Sequence, residues 1–163
     1  LNLSTKERAT LARGEDITAA DGTTLEAAWF RGGKRAPVSV LISGDTASTP
    51  PGWVPDAAPT LLIHEATFLD EQQDKADEHQ HSTAAGAVAS ALAVGADSLA
   101  LTHYSNRIKS SEKVLEEAVH VAGDLPVVAL NDSDRMVVND DGTVHHLGWN
   151  DGQWSGLNIK PNR

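Results

Sequence analysis

Apolar residues fall into short blocks separated by polar punctuation, and their spacing sorts strand from helix. Four runs, at residues 38–42, 61–63, 98–101 and 127–130, are of strand length, and each ends in polar residues. Between the second and third, Ser82 is placed to cap an alanine-rich helix over 83–94 that Gly95 stops. Between the third and fourth, Ser110 or Ser111 caps a helix running to about Ala122, with Gly123 after it. Upstream, Ser4 followed by Glu7 is a capping-box pattern for a first helix that Gly14 ends. Ala20-Asp21-Gly22 joins two short strands, and Asp140-Asp141-Gly142 joins the two strands of a closing hairpin at 136–138 and 144–147. The basic run Arg31-Gly32-Gly33-Lys34-Arg35 reads as a connector, 47–59 as a Pro- and Thr-rich loop, 70–78 as an acidic segment, and the tail beyond Trp149 as polar and irregular.

Strand-length runs alternating with helices predict an α/β fold around a largely parallel sheet. With 163 residues there is chain enough for one domain, burying roughly 70% of its extended surface. The 40% hydrophobic and 22% charged content is that of a globular chain. A net charge of −10, from 13 Lys and Arg against 23 Asp and Glu, argues against a generally basic nucleic-acid or anionic-membrane binder and leaves room only for local basic patches. There is no cysteine, so any metal must be held by histidine and carboxylate. No apolar stretch approaches the roughly 20 residues of a membrane span, and no secretory signal opens the chain, so a cytoplasmic location without membrane partners is expected.

Ligands of open α/β sheets bind beyond the carboxyl ends of the strands. Four runs deliver polar residues there: Asp45, His64-Glu65, Thr102-His103 and Asn131-Asp132. Taken singly, Asp45 after Gly44 reads equally as a turn cap, His103 as a structural histidine, and His64-Glu65 as a surface pair. Their recurrence at one topological place favours a converging site, and neutral imidazole with carboxylate is the zinc ligand set of a cysteine-free protein.

Three segments carry a family resemblance: Ser43-Gly44-Asp45-Thr46; His64-Glu65-Ala66-Thr67-Phe68 followed by His81-Ser82-Thr83; and Leu101-Thr102-His103-Tyr104-Ser105-Asn106-Arg107. In this order, from about residue 11 to 129, the chain resembles the C-terminal half of ribonuclease Z, the tRNA 3′-processing endonuclease of the metallo-β-lactamase superfamily. The resemblance implies half of an αββα sandwich, a mixed sheet with flanking helices. It implies a site for two zinc ions, with Asp45 bridging them and His103 a ligand of one. Other divalent metals remain open. His81 would lie near the scissile phosphate and Glu65 would orient it. Thr46, Ser105 and Arg107 become substrate-binding candidates, although a solvated arginine explains Arg107 as well.

The family's His-x-His-x-Asp-His metal motif is absent, as is the histidine that follows it. His79-Gln80-His81 lacks the required Asp-His, so His79 reads as incidental. His145 and His146 are neighbours in a strand and must face opposite ways, which makes them a poor chelate. The expectation is a C-terminal portion of a longer endonuclease: 1–35 as arm base and connector, 36–148 as core, 149–163 as tail. Leu1 in place of Met fits a chain that continues upstream. The resemblance further implies precursor tRNA as substrate, a homodimer, and a missing N-terminal half supplied in cis or trans. With two metal ligands, this chain alone is expected to bind zinc weakly and to leave precursor tRNA uncut. The alternatives are another hydrolase of the superfamily, phosphodiesterase or arylsulfatase-like, and a non-catalytic dimerisation or scaffold half.

Overall fold

The structure, a computed structural model, describes residues 3–30, 37–48 and 52–157. It divides into two compact units, residues 1–37 and 38–163. The basic run at 31–35 lies outside the described residues.

In the first unit, α1 (Thr5–Arg13) begins with the capping box anticipated from Ser4 and Glu7. Ser4 Oγ accepts from Glu7 N at 3.3 Å, and Glu7 Oε2 accepts from Ser4 N at 2.7 Å. Strands β1 (Ile17–Thr18) and β2 (Thr24–Leu25) pair antiparallel around the Asp21-Gly22 turn, where Gly22 has φ +84°. Leu11, Leu25 and Ala27 form its small core.

The second unit is layered on a four-stranded parallel sheet of sequential order: β3 (Val40–Ile42), β4 (Leu61–Glu65), β5 (Leu99–Thr102) and β6 (Val127–Ala129). Parallel strands need crossovers, and helices supply the two that follow β4. An acidic 3-10 turn leads into α2 (Gln73–His79), which with α3 (Ala84–Ala93) links β4 to β5; α4 (Ser111–Ala122) links β5 to β6. Leu62, Leu99, Leu101, Val88, Ala91, Val114 and Ala118 interlock as the main core between sheet and helices. The alanines of α3 leave no side chain beyond Cβ to hold the helix off the sheet, and Ala84, Ala87 and Ala91 are fully buried. On the other face Leu61, Ala100 and Val128 are covered by Met136, Val138 and Val144. These come from a second, antiparallel sheet of β7 (Arg135–Val138), β8 (Val144–Asn150) and β9 (Gln153–Leu157). Among the described residues, no helix is long and apolar enough to cross a membrane.

Two local expectations change, and the acidic segment proves to be helical. The cap of α3 is Thr83, whose hydroxyl accepts from Gly86 N at 3.0 Å, and not Ser82. Thr83 is held extended by a bridge to Phe68, in which Phe68 N donates to Ser82 O and Ala84 N to Phe68 O. The acidic stretch is helical although only Ala76 of α2 is buried, so no apolar periodicity announced it. The chain beyond Trp149 is not irregular as far as Leu157. Asp151 and Gly152, at φ +48° and +83°, turn β8 into β9, and Trp149 and Trp154 meet at 4.4 Å between ring centroids. Asp-Gly between apolar residues is a strong hairpin signal, and it was present at 151–152.

Candidate metal and acid–base site

The carboxyl ends of β3, β4 and β5 open onto a cleft of about 1010 Å³, lined among others by Asp45, Glu65, His103, Ser105 and Asp132. Each strand end supplies one chemical group. Beyond β3, Gly44 takes φ +63°, a conformation that favours glycine, and the chain turns so that Asp45 lies 64% exposed at its side chain. His103 follows β5 with φ +58°, unusual for a residue with a Cβ, and its ring is 49% exposed. Its Nε2 stands 3.6 Å from Asp45 Oδ1.

Glu65, the last residue of β4, is 1% exposed. The reading of His64-Glu65 as a surface pair is therefore overturned for both residues, since His64 is fully buried too. Glu65 Oε1 accepts from Thr46 N at 2.8 Å and from His81 Nδ1 at 2.6 Å. Its Oε2 accepts from Thr67 Oγ1 at 2.6 Å and Thr67 N at 3.1 Å. Burial alone would push this carboxyl up. The hydrogen bonds from Thr67, His81 and Thr46 outweigh it, with the Ser82 backbone acting in the same direction, and hold Glu65 below the usual 4.5, ionised at neutral pH. His81 reaches this carboxylate from the link between α2 and α3, and its ring stacks on His103 with centroids 5.6 Å apart and 24° between planes.

Glu65, His81 and His103 each offer a ligand atom within 4.8 Å of the others, a group able to hold a cation. The hydrogen bonds distinguish its members. Both Glu65 oxygens are engaged by two donors each, whereas the Asp45 and His103 side chains are largely exposed and meet each other there, at 3.6 Å. Metal ligation by Asp45 and His103 thus displaces no buried donor, while ligation by Glu65 would strand several.

The other residues singled out in the sequence are placed as follows. Thr46 contributes its backbone N–H to Glu65, and its hydroxyl donates to Ala47 O at 3.2 Å. Ser105 lines the cleft, and its N–H donates to Thr67 O at 3.1 Å. Arg107 is exposed and outside the cleft lining, where Lys109 is found instead. His64 does not join the cleft: on the helix-facing side of β4, its Nδ1 bonds Glu65 O at 2.7 Å and its ring meets the edge of Trp53. Burial holds its imidazole below the usual value and hence neutral. His79 stacks on Phe68. His145 is exposed while His146 is buried against Asp134 at 2.7 Å, opposite faces as strand geometry requires. The residue that sequence reasoning passed over is Thr67. It lies two positions beyond Glu65 within a quoted motif, but it carried no signal of its own.

Fold and site together define an α/β protein with a carboxylate–imidazole centre at the C-terminal edge of a parallel sheet. No family model matches the chain. In sequence the chain is similar to ribonuclease Z. It is 41% identical to that of Myxococcus xanthus over 97 residues, 60% of this chain and 32% of that protein. Identity is 38% with that of Gemmatimonas aurantiaca over 105 residues, 64% and 33% of the two chains. It is 46% with that of Pyrobaculum islandicum over 83 residues, 49% and 29%. The crystal structure of human tRNase Z, short form, aligns with 57% of this chain and 30% of its own at 35% identity and a TM-score of 0.39. The chain spans about a third of the length of the curated relatives it matches.

Proposed function

We propose that this chain is the C-terminal portion of a ribonuclease Z-type endoribonuclease, cytoplasmic and homodimeric when complete, that removes the 3′ trailer of precursor tRNA. The observation that carries the reading is the gathering of Asp45, Glu65, His81 and His103 at one sheet edge, from three separate motifs shared with that family. Asp45 and His103 are the ligands this portion would contribute to a zinc site; in donor type they suit zinc, and in number they are half of a four-coordinate set. Asp45 has two oxygens with which to bridge two ions. A zinc pair held there would supply Lewis-acid activation of water toward a phosphodiester.

The chain's own residues account for the proton. His81, with Nδ1–H donated to Glu65, presents Nε2 outward, from which a proton can pass to a leaving oxygen. Glu65, buried and ionised, orients the ring. Thr46, Ser105 and Arg107 remain the substrate-binding candidates, Thr46 acting through its backbone hold on Glu65. The fragment reading is supported by the incomplete ligand count and by strand β3, the outer strand of its sheet, where Val40 and Ile42 are 46% and 67% exposed among the described residues. The missing N-terminal half is the occupant proposed for that edge, in cis or in trans.

The test is reconstitution. The chain is joined to, or co-expressed with, an N-terminal ribonuclease Z segment bearing His-x-His-x-Asp-His, and cleavage of a precursor tRNA is measured with zinc. Cleavage at the trailer junction, lost in Asp45→Ala and His81→Ala, is expected of the completed protein, and none of the chain alone. Hydrolysis of a generic phosphodiester with precursor tRNA left uncut would support another hydrolase of the superfamily. Folding and dimerisation with neither activity would support a scaffold half.

A further inference from the structure

We propose that Thr67 is a positioning residue that sets the tautomer of His103, keeping the proton on Nδ1 so that the Nε2 lone pair faces the cleft. The proposal rests on the reading above for its purpose, since a cation ligand needs that lone pair, but its basis is a count of protons. A hydroxyl has one proton to give and two lone pairs to receive. Thr67 Oγ1 lies 2.6 Å from Glu65 Oε2, 2.9 Å from His103 Nδ1, 3.1 Å from His103 O and 3.3 Å from His81 Nδ1. An ionised carboxylate only accepts, so the shortest contact takes the hydroxyl proton; a charge-assisted bond outcompetes the longer one to a neutral carbonyl. Thr67 Oγ1 can then only accept, and the 2.9 Å contact requires that His103 Nδ1 carry hydrogen.

The same count applies to His81, whose Nδ1 at 2.6 Å from Glu65 Oε1 must be the donor. Both stacked rings therefore turn their Nδ1–H inward to one buried carboxylate system, His81 directly and His103 through Thr67, and both Nε2 atoms outward. Which nitrogen of an imidazole is free is set by the hydrogen bond that the other makes. Thr67 also grips the backbone of this turn, because its carbonyl accepts from Ser105 N at 3.1 Å, next to the left-handed His103. Thr67 itself is buried, with 9% of its surface exposed.

Thr67→Val removes the hydroxyl while keeping shape and carbonyl, and Thr67→Ser keeps the hydroxyl. The readout is the long-range ¹H–¹⁵N spectrum of the metal-free chain at neutral pH, with His103 assigned by loss of its signals in His103→Asn. Wild type and Thr67→Ser are expected to give a protonated Nδ1 and a bare Nε2 at His103, and Thr67→Val to lose that pattern. A wild-type His103 protonated on Nε2, or a Thr67→Val that keeps Nδ1–H, would overturn the proposal. If Thr67→Val does not fold, the wild-type spectrum alone decides. Zinc titration of the same samples, followed at His103 Nε2, should weaken by about tenfold in Thr67→Val and recover in Thr67→Ser. A wild-type His103 that ignores zinc would defeat the metal reading, while the metal-free tautomer would still decide the role of Thr67.

Discussion

Replacing Glu65 separates an organising buried carboxylate from a merely polar one. Four donors converge on its two oxygens, and two of them, Thr46 N and Thr67 N, are backbone groups unable to turn elsewhere. In Glu65→Ala both lose their acceptor. A buried donor left unpaired costs about 1–3 kcal/mol, so the pair amounts to about 2–6 kcal/mol. The side-chain donors add less. The Thr67 hydroxyl can turn to His103 O at 3.1 Å, and His81, 23% exposed, can find water. In Glu65→Gln one oxygen survives. Wherever the amide points, its NH₂ faces one of the two backbone N–H groups, stranding a single donor at a cost of about 1–3 kcal/mol. Against a typical stability of about 5–15 kcal/mol, the first change brings a domain near unfolding and the second does not. Urea denaturation at neutral pH, followed by tryptophan fluorescence and far-UV circular dichroism, measures both. The expected order is wild type, then Gln, then Ala, with unchanged denaturant slopes. Both variants within about 0.5 kcal/mol of wild type, a difference typical of surface substitutions, or Gln as damaging as Ala, would refute the reasoning.

Two further outcomes follow from other parts of the fold. At Asp134, burial pushes the carboxyl up, but the hydrogen bonds from Asn131 N–H, His146 and Trp149 N–H together bring it below the usual 3.8. A carboxylate lowered by folding contributes stability above its unfolded value and loses it as the pH falls through the folded one. The stability gap between wild type and Asp134→Asn should therefore shrink as the pH drops below 3.8, and a gap that stays constant in acid would contradict the pairing. In α3, a Cβ added at Gly86 would run into Ser48 Oγ and come within 2.9 Å of Ser82 Oγ, two hydroxyls bonded to each other at 2.7 Å. Gly86→Ala should accordingly lower stability by about 1–3 kcal/mol despite alanine's better helix propensity, and a melting temperature at or above wild type would show that the serine pair yields freely.

Much of the fold was readable along the chain because its causes are local. Four short apolar runs with helical stretches between the later ones make parallel strands with crossovers, and the Ser4–Glu7 box and the Asp21-Gly22 and Asp141-Gly142 turns act over three or four residues. Where reading failed, the cause was non-local or the signal was overlooked. Thr83 takes the cap of α3 because a bridge to Phe68, fifteen residues back, holds it extended at the helix start and leaves Ser82 one residue outside. The Asp151-Gly152 turn, by contrast, is a local signal of the same kind as the other Asp-Gly turns.

The site divides along the same line. The recurrence of polar residues at successive strand ends points to Asp45, Glu65 and His103 converging, and motif order adds His81 to them. Strand geometry sends neighbours such as His64 and Glu65 to opposite faces, but both faces of this parallel sheet are covered, so alternation by itself does not say which of them meets the cleft. Register and packing decided it: His64 went under the helices beside Trp53, and Glu65 went to the edge with four donors around it. Residue types along the chain determine which groups can accept, donate or bind a cation. Only their placement in three dimensions decides which protons lie between them, because a hydrogen bond depends on contacts of about 3 Å between positions that here stand up to 36 residues apart.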